Sequence, residues 1–265
     1  MTTTYLDNIV ARHRTRASRD QRNWRARLET AVTSHRPSFR DALTRTPGAP
    51  LSVIAELKRR SPSKGWLAPD LDVATMASCY VRSGARAVSV LTDHEFFAGS
   101  LDDLVVVAAQ VDAPLLRKDF TVSENDVLDA CDAGASAILL IVAALSDQEL
   151  QGFLHLAHQL DLDALVEVHD HLEAARALDA GAVLVGVNQR DLRSFEVDAH
   201  HAALVVESVR RDGVVTVCES AITGLDDVQR AADAGYDAVL VGEAFVTAAE
   251  PALAVAAFSA VRPST

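Results

Sequence analysis

Eight short apolar runs rich in β-branched residues recur along the chain, and each is followed by a stretch with helical periodicity. The runs are VIAEL, AVSVLT, PLLRKD, AILLIV, ALVEV, LVGVNQ, VVTVCES and AVLVG, which begin at Val53, Ala87, Pro114, Ala137, Ala164, Leu184, Val214 and Ala238. Strands that alternate with helices form parallel βα units, and runs that are apolar on both faces suit parallel strands covered by helices. The pattern predicts an α/β protein with eight parallel strands.

A phrase that recurs at the end of alternate helices indicates that these strands close into a ring. It occurs as RSGARAVSV, DAGASAILL, DAGAVLVGV and DAGYDAVLV, and its glycines, 50, 47 and 54 residues apart, are Gly84, Gly134, Gly181 and Gly235. Each glycine follows a helix, where a left-handed C-terminal cap is favoured, and precedes an even-numbered strand. We therefore predict a (βα)8 TIM barrel built from four (βα)2 quarters. A flavodoxin-like open sheet is the alternative, but it normally has five or six strands and lacks this register.

The length fits one domain with an N-terminal helical extension. The chain has 265 residues, and α/β barrels commonly use about 200–250 residues as one domain. Residues 51–265 contain all eight strands and form the predicted catalytic barrel. Residues 1–50 have charged helical patterns and a break at TPGAP. We expect this extension to belong to the same domain and to pack over one end of the barrel or onto a partner.

Charge and the length of the apolar runs exclude several classes of protein. A formal net charge of -12 disfavours a nucleic-acid surface and an anionic membrane partner, because both need a basic face. No apolar run reaches the roughly 18 residues of a membrane span, and no secretory signal is recognisable, so we expect a cytoplasmic protein. The three separated cysteines suggest neither a disulfide framework nor a zinc site. An anionic substrate would therefore need a local cluster of positive groups.

Lysine is rare in this chain, and its positions suggest proton-transfer chemistry. Of 25 basic residues only Lys58, Lys64 and Lys118 are lysines, and the rest are arginines. A desolvated lysine can release its proton, whereas arginine stays charged. Lysines kept in an arginine-rich chain are therefore candidates for chemistry, the alternative being three lysines left by chance under biased coding.

Polar residues concentrate at the ends of the predicted strands, where a barrel builds its active site. They are Glu56 and Lys58 of strand 1, Thr92 and Asp93 of strand 2, Arg117, Lys118 and Asp119 of strand 3, Glu167 of strand 5, Asn188 and Arg190 of strand 6, and Glu219 and Ser220 of strand 7. Strand 4 contributes only apolar side chains. Because buried charges are costly unless paired, Glu56, Lys118, Glu167 and Glu219 are predicted to meet at one mouth. They would form either a reactive site or a structural ring of ion pairs.

Three loops complete the predicted site. The loops after strands 7 and 8, ESAITG and VGEAF, occupy the usual phosphate position of such barrels. There Gly242 permits close backbone approach, and Ser220 can donate a hydroxyl proton. The loop after strand 1, KRRSPSKGWLAPDLD, either folds over bound substrate or forms a rigid turn. His169 and His171 have no third ligand at a convincing spacing, so no metal site is expected.

Several of these segments resemble the indole-3-glycerol phosphate synthase family. VIAELKRRSPSKG resembles the family's strand-1 signature, and VLTDHEFFAGSLDDL, PLLRKDFTV, LVEVHD, VGVNQRDLRSFEVD and VCESAI resemble its segments at strands 2, 3, 5, 6 and 7. The match extends from about Val53 to the C-terminal region, in the family's order. The resemblance implies ring closure, decarboxylation and dehydration of 1-(2-carboxyphenylamino)-1-deoxyribulose 5-phosphate to indole-3-glycerol phosphate in tryptophan biosynthesis. It implies no cofactor and no metal.

The resemblance also implies roles for individual residues. Lys118 resembles the general acid for ring closure and Glu167 its acidic partner, and Lys58 with Glu56 resembles the pair for carboxylate binding and dehydration. The positions that resemble substrate-binding residues are Ser61, Ser63, Asn188, Arg190, Glu219 and Ser220, and those on the phosphate side are Ala221, Gly242 and Glu243. We expect a monomer or weak homo-oligomer whose partner is a small phosphorylated anilino-sugar.

One residue departs from the family's pattern, and two other functions stay open at this point. Families of this type usually have glycine after the Glu-Ser pair of strand 7, where this chain has Ala221. If that position needs a positive φ, alanine is strained by roughly 1 kcal/mol, which bears on phosphate affinity. A phosphoribosylanthranilate isomerase is disfavoured because no cysteine ends strand 1. An inactive barrel that serves as a binding scaffold is disfavoured by the strand-end charges.

Overall fold

The computed structural model describes residues 4–32, 36–190 and 197–264 and contains a closed barrel of eight parallel strands. The strands are β1 (Ser52–Leu57), β2 (Ala87–Leu91), β3 (Leu115–Lys118), β4 (Ala137–Ile141), β5 (Asp163–Val168), β6 (Leu184–Asn188), β7 (Val215–Glu219) and β8 (Ala238–Val241). β1 pairs with β8, with Ser52 opposite Ala238. The eight predicted strands and the closed barrel are confirmed, and the open-sheet alternative is excluded.

Helices cover the barrel, and three of the helices in the described part of the chain precede β1. The described α-helices are α1 (Tyr5–Arg19), α2 (Trp24–Thr30), α3 (Phe39–Leu43), α4 (Val73–Arg82), α5 (His94–Phe97), α6 (Leu101–Gln110), α7 (Glu124–Asp132), α8 (Asp147–Gln159), α9 (His171–Asp179), α10 (Ala199–Val209), α11 (Leu225–Asp233), α12 (Glu243–Val246) and α13 (Pro251–Ser259). A short 3-10 turn spans Val142–Ala144, and a small hairpin in the loop after β1 joins Arg60–Ser61 to Gly65–Trp66. The four repeated glycines have φ angles from 81° to 109°, which confirms the predicted left-handed helix ends.

Alternate residues of each strand face the inside of the barrel, where they form an apolar cluster distinct from the one under the helices. Ile54 and Leu165 belong to the inner cluster, whereas Val53 belongs to the outer one. Side chains alternate along a strand, so Glu56 and Glu167, two residues further on, point into the same interior. The strands therefore change from apolar to ionisable towards the C-terminal end of the barrel.

The N-terminal extension contacts both ends of the barrel. Phe39 and Leu43 of α3 are fully buried in the inner cluster, and the hydroxyl of Ser52, the first residue of β1, donates to the Leu43 carbonyl. α3 therefore closes the N-terminal end. At the opposite end, Nε2 of His13 in α1 lies 2.9 Å from Oδ2 of Asp93, just after β2. The extension was expected to pack over one end of the barrel or onto a partner, and its described residues contact both ends of the barrel.

No helix within the described ranges combines the length and the apolar character needed to cross a lipid bilayer.

Candidate active site

A cavity of about 340 Å³ opens at the C-terminal end of the barrel. All thirteen predicted site residues line it: Glu56, Lys58, Ser61, Ser63, Lys118, Glu167, Asn188, Arg190, Glu219, Ser220, Ala221, Gly242 and Glu243. They come from six strand ends and the loops that follow them, because a closed parallel barrel gathers the carboxyl ends of its strands around one mouth. The predicted convergence of charges is therefore confirmed.

Lys118 lies at the floor of this cavity between two carboxylates. Its Nζ donates to Oε2 of Glu167 at 2.9 Å and to Oε2 of Glu219 at 2.7 Å. Burial alone would lower the pKa of Lys118, but the charges of Glu167, Glu219 and Glu56 outweigh burial and raise it. The side chain is therefore a charged ammonium held in place by two strong hydrogen bonds.

The two carboxylates beside Lys118 have different electrostatic surroundings. Burial would raise the pKa of Glu167, but the charges of Lys118 and His169 and a hydrogen bond from Asn188 outweigh it and lower the pKa. Burial raises the pKa of Glu219 to about 7, with Lys118 opposing the rise and Glu167 adding to it. Oε1 of Glu219 is buried without a hydrogen-bond partner among the described residues. Glu219 is therefore the carboxylate of this pair that more readily holds a proton.

A second ion pair lies across the cavity at the end of β1. Nζ of Lys58 donates to Oε1 of Glu56 at 2.7 Å, and the Ser89 hydroxyl donates to Oε2 of Glu56 at 3.4 Å. A Cβ atom added to Gly242 would lie 2.6 Å from Oε1 of Glu56 and 3.0 Å from Nζ of Lys58. The glycine after β8 thus leaves space for this pair, a role beyond the backbone approach suggested by the sequence.

Asn188 connects the carboxylates to the loop after β6. Its side-chain nitrogen donates to Oε1 of Glu167 at 3.0 Å, and its side-chain oxygen accepts from the backbone N–H of Arg190 at 3.0 Å. Asn188 is buried, so both contacts hold Glu167 and the start of this loop in one arrangement. Residues 191–196 of the family-like motif lie outside the described residues.

The phosphate-side loops have strained backbone and a bridging ion pair. Ser220 and Ala221 have φ angles of 67° and 56°. Ala221 therefore has the positive φ that was considered from the sequence, and alanine is strained in this left-handed conformation. Nζ of Lys64, in the loop after β1, lies 2.5 Å from Oε1 of Glu243. This pair links the loop after β1 to the loop after β8 above the cavity.

The apolar wall of the cavity was largely missed from the sequence. It includes Leu139 and Ile141 of β4, Phe97 and Phe120 after β2 and β3, and Tyr5, Leu6 and Ile9 of α1. The β4 residues were noted as apolar, but nothing placed α1 over the cavity. The available signal was the pair of apolar positions, Leu6 and Ile9, at helical spacing in a helix that is otherwise mainly polar.

Some polar strand ends serve the fold. Among them Thr92, Asp93 and Arg117 do not line the cavity, whereas Asp119 does. Arg117 donates to Thr92 at 3.1 Å and to Asp119 at 2.9 Å, and all three are buried. Among the described residues, His13, Asp93 and Asp119 have ligand atoms within 4.8 Å of one another. The carboxylates of this cluster already accept hydrogen bonds from protein groups, so we interpret it as the anchor of α1.

Comparisons with known proteins agree with this geometry. A family model described as indole-3-glycerol phosphate synthase matches residues 6–258. The chain is 53% identical to the indole-3-glycerol phosphate synthase of Parafrankia sp. over 215 residues, which cover 81% of this chain and 80% of that protein. It is 47% identical to that of Nocardioides sp. over 251 residues, covering 94% and 96%. A thiamine phosphate pyrophosphorylase from Pyrococcus furiosus has a similar fold, with a TM-score of 0.60 at 18% identity, covering 78% of this chain and 93% of that one.

Proposed function

Because the chain belongs to the indole-3-glycerol phosphate synthase family, we propose that Lys118, Glu167 and Lys58 carry the proton transfers of that enzyme's reaction. The enzyme is a carboxy-lyase of tryptophan biosynthesis that converts 1-(2-carboxyphenylamino)-1-deoxyribulose 5-phosphate into indole-3-glycerol phosphate, carbon dioxide and water. The observation that supports the proposal best is the buried Lys118 ammonium between two carboxylates, at the floor of a cavity that is lined by both charged and apolar side chains.

Ring closure needs an acid at the ketone. The aromatic carbon that carries the carboxylate attacks the ketone carbon, and the ketone oxygen must receive a proton as the new bond forms. Lys118 is charged and fixed, and lysine can release a proton where arginine cannot. When Glu219 is protonated, one of the charges that holds the proton on Lys118 is removed, so Lys118 becomes a stronger acid.

The substrate carboxylate is expected beside Lys58. Lys58 carries the second ammonium of the cavity, 18% exposed and paired with Glu56, so an anionic group can approach it from the cavity. Loss of carbon dioxide removes the negative charge of the substrate carboxylate. The apolar side chains of Leu139 and Ile141 line the same cavity, and apolar surroundings favour a neutral group over a charged one. The cavity thereby favours decarboxylation once the ring has closed.

Dehydration needs an acid for the departing hydroxyl group and a base for a proton on the ring carbon next to nitrogen. Lys58 and Glu56 form one acid–base pair and Lys118 and Glu167 another, on facing parts of the cavity. We assign the base to Glu167, because its pKa is lowered and Asn188 fixes it. Arg190 follows Asn188 and lines the same wall, where its side chain would orient the substrate.

The phosphate group is assigned to the side of the cavity lined by the loops after β7 and β8. Ser220, Ala221 and Gly242 line this side with backbone and small side chains, which suits an anion bound through N–H groups. Glu243 would repel a phosphate, but its charge is paired with Lys64. The residues Ser61 and Ser63 of the loop after β1 would close over the same group.

The oligomeric state and the cellular location stay predictions: a monomer or weak homo-oligomer in the cytoplasm. Sedimentation velocity over a range of protein concentrations measures the first directly.

The residue assignments are tested by following indole fluorescence with the carboxyphenylamino-deoxyribulose phosphate as substrate. Lys118→Ala and Glu167→Gln are each expected to lower kcat by roughly 100-fold or more. Lys118→Arg keeps the charge but is expected to be equally impaired, and Glu207→Gln, at an exposed position of α10, is the control for loss of a carboxylate. Absence of turnover by the unaltered protein would contradict the activity itself, whereas active Lys118 and Glu167 variants would contradict only the assigned roles.

A further inference from the structure

His169, the residue after β5, links a carboxylate of the cavity to the outside of the barrel wall. Its Nε2 lies 3.5 Å from Oε1 of Glu167, and its Nδ1 lies 2.9 Å from Oε2 of Glu173 in the first turn of α9. The side chain of Glu167 is 3% exposed, whereas those of His169 and Glu173 are 16% and 14% exposed. Of these three described residues, only Glu167 lines the cavity. Titratable groups thus lead from the cavity floor to the surface without passing through the mouth.

The local backbone holds this histidine firmly. The backbone N–H of His169 donates to the same Glu173 oxygen at 2.8 Å. Asp170 caps α9 and accepts from the backbone N–H of Glu173 at 2.9 Å. Nε2 of His169 is buried and has no hydrogen-bond partner among the described residues. A buried polar atom without a partner costs free energy, so its position facing Glu167 suggests use during the reaction.

The overall reaction has a proton requirement that this position could serve. The substrate enters with an ionised carboxylate and loses it as neutral carbon dioxide. Ring closure adds one proton to the ketone oxygen, dehydration adds one to the departing hydroxyl group, and one proton is removed from the ring carbon next to nitrogen. Each turnover therefore consumes one proton, and the acid–base groups of the cavity, Lys118, Glu167, Glu219 and Lys58 taken together, end one positive charge short if no outside proton arrives.

We propose that His169 supplies this proton from the outer face of the barrel. The proton on Nε2 passes to Oε1 of Glu167, which leaves a neutral imidazole, and from Glu167 it restores the charge of Lys118. The neutral imidazole keeps the Nδ1 proton that Glu173 accepts, and it regains a proton from solvent at Nε2, since its side chain is 16% exposed. The inference rests on the proposed roles of Lys118 and Glu167, and it adds a residue that supplies them with a proton without contacting the substrate.

The charges around His169 favour the form that can donate. The groups that face it are Glu167 on β5, Glu173 on α9 and Glu219 on β7. Burial would lower the pKa of His169, but the hydrogen bond to Glu173 and these three negative charges outweigh burial and raise it. These charges thus favour the imidazolium, which is the form that a proton store requires.

Chemical rescue distinguishes proton supply from structural support. His169→Gln keeps a polar side chain but cannot carry a proton, and we expect its kcat to fall roughly tenfold at pH 8, with KM nearly unchanged. Added imidazole is expected to restore kcat in proportion to its concentration, whereas sodium chloride at the same ionic strength is not. His171→Gln, an exposed histidine two residues further on, is the matched control and should resemble the unaltered protein with and without imidazole.

A kcat of His169→Gln within twofold of the unaltered protein would overturn the proposal, and so would a loss that imidazole does not restore. If His169→Gln does not fold, Glu173→Gln tests the same relay from its outer end, because it keeps the histidine and removes its partner at Nδ1. It should lower kcat and flatten the dependence of kcat on pH above neutrality. Glu167→Gln, measured in parallel, distinguishes the proposed catalytic roles from the proposed proton supply. An active Glu167→Gln variant would contradict the catalytic roles, whatever the result for His169→Gln.

Discussion

Gly186 in the middle of β6 creates the space that the Glu219 carboxylate occupies. A Cβ atom added to Gly186 would overlap with Oε1 of Glu219 and lie 3.0 Å from its Cδ and 3.2 Å from Leu165 Cδ1. Glu219 pairs with Lys118 on its other side, so the carboxylate is confined between a backbone and an ammonium. The position of Glu219, and through it that of the candidate acid Lys118, therefore depends on the absence of a side chain at Gly186 on the neighbouring strand.

Gly186→Ala should displace the Glu219 carboxylate and with it Lys118. We expect kcat to fall roughly 100-fold, because small misplacements of reacting groups have effects of that size, and the free energy of unfolding to fall by about 1–3 kcal/mol from overpacking. Steady-state kinetics and urea unfolding measure both. Gly152→Ala in α8, where an added Cβ meets no described atom within 4 Å, is the control and should instead gain about 0.5–1 kcal/mol. Near-normal kcat for Gly186→Ala would show that the carboxylate has room to move.

Ala221→Gly should relieve backbone strain beside the candidate phosphate position. A left-handed φ costs alanine about 1–2 kcal/mol, which the substitution by glycine would recover. The greater freedom of glycine in the unfolded chain offsets about 0.4–1 kcal/mol of this stabilisation. We expect a small net stabilisation and a several-fold lower KM. Ala98→Gly, with the same φ of 56° but outside the cavity lining, should match the stability change and leave KM unaltered. Equal effects of the two substitutions on KM would argue against a phosphate role for Ala221.

Glu219→Gln should change how stability depends on pH. Because the pKa of Glu219 is raised to about 7 in the folded protein and is about 4.3 in an unfolded chain, the folded state retains a proton that the unfolded state releases between these values. The stability of the unaltered protein therefore falls as pH rises through this window.

The Gln variant lacks this titration, so its stability relative to the unaltered protein should rise from pH 4 to pH 8 by on the order of 1–3 kcal/mol. Urea unfolding at several pH values measures the difference. Glu207→Gln at an exposed position should show no such trend. A difference that is constant with pH would mean that Glu219 titrates normally.

His13→Ala should loosen α1 from the mouth of the barrel. The substitution leaves the buried Asp93 without its 2.9 Å partner, a loss of about 1–3 kcal/mol, and it frees the helix whose Leu6 and Ile9 line the cavity. KM should rise more than kcat falls, and limited proteolysis should cut α1 sooner. Arg12→Ala, which removes an exposed ion pair of the same helix with Glu95, should cost at most about 1 kcal/mol. Equal KM values for the two variants would refute a positioning role for α1.

The fold and most of the charged site could be predicted from the local sequence. Strands apolar on both faces, glycines at helix ends and ionisable residues at strand ends are patterns within a few residues, and each reflects a local rule of backbone or burial. Residues two apart on a strand share a face, so Glu56 and Glu167 could be placed inside the barrel before any coordinates.

Contacts between residues on different strands and helices could not be predicted from the sequence and are known only from the tertiary structure. The space that Gly186 leaves for Glu219, the position of α1 over the cavity and the link from Glu167 through His169 to Glu173 join residues on different elements. Side-chain distances across a barrel depend on strand register and on the packing of every neighbouring side chain. The local sequence determined which chemical groups reach the mouth, and only the closed, packed barrel decided which of them touch.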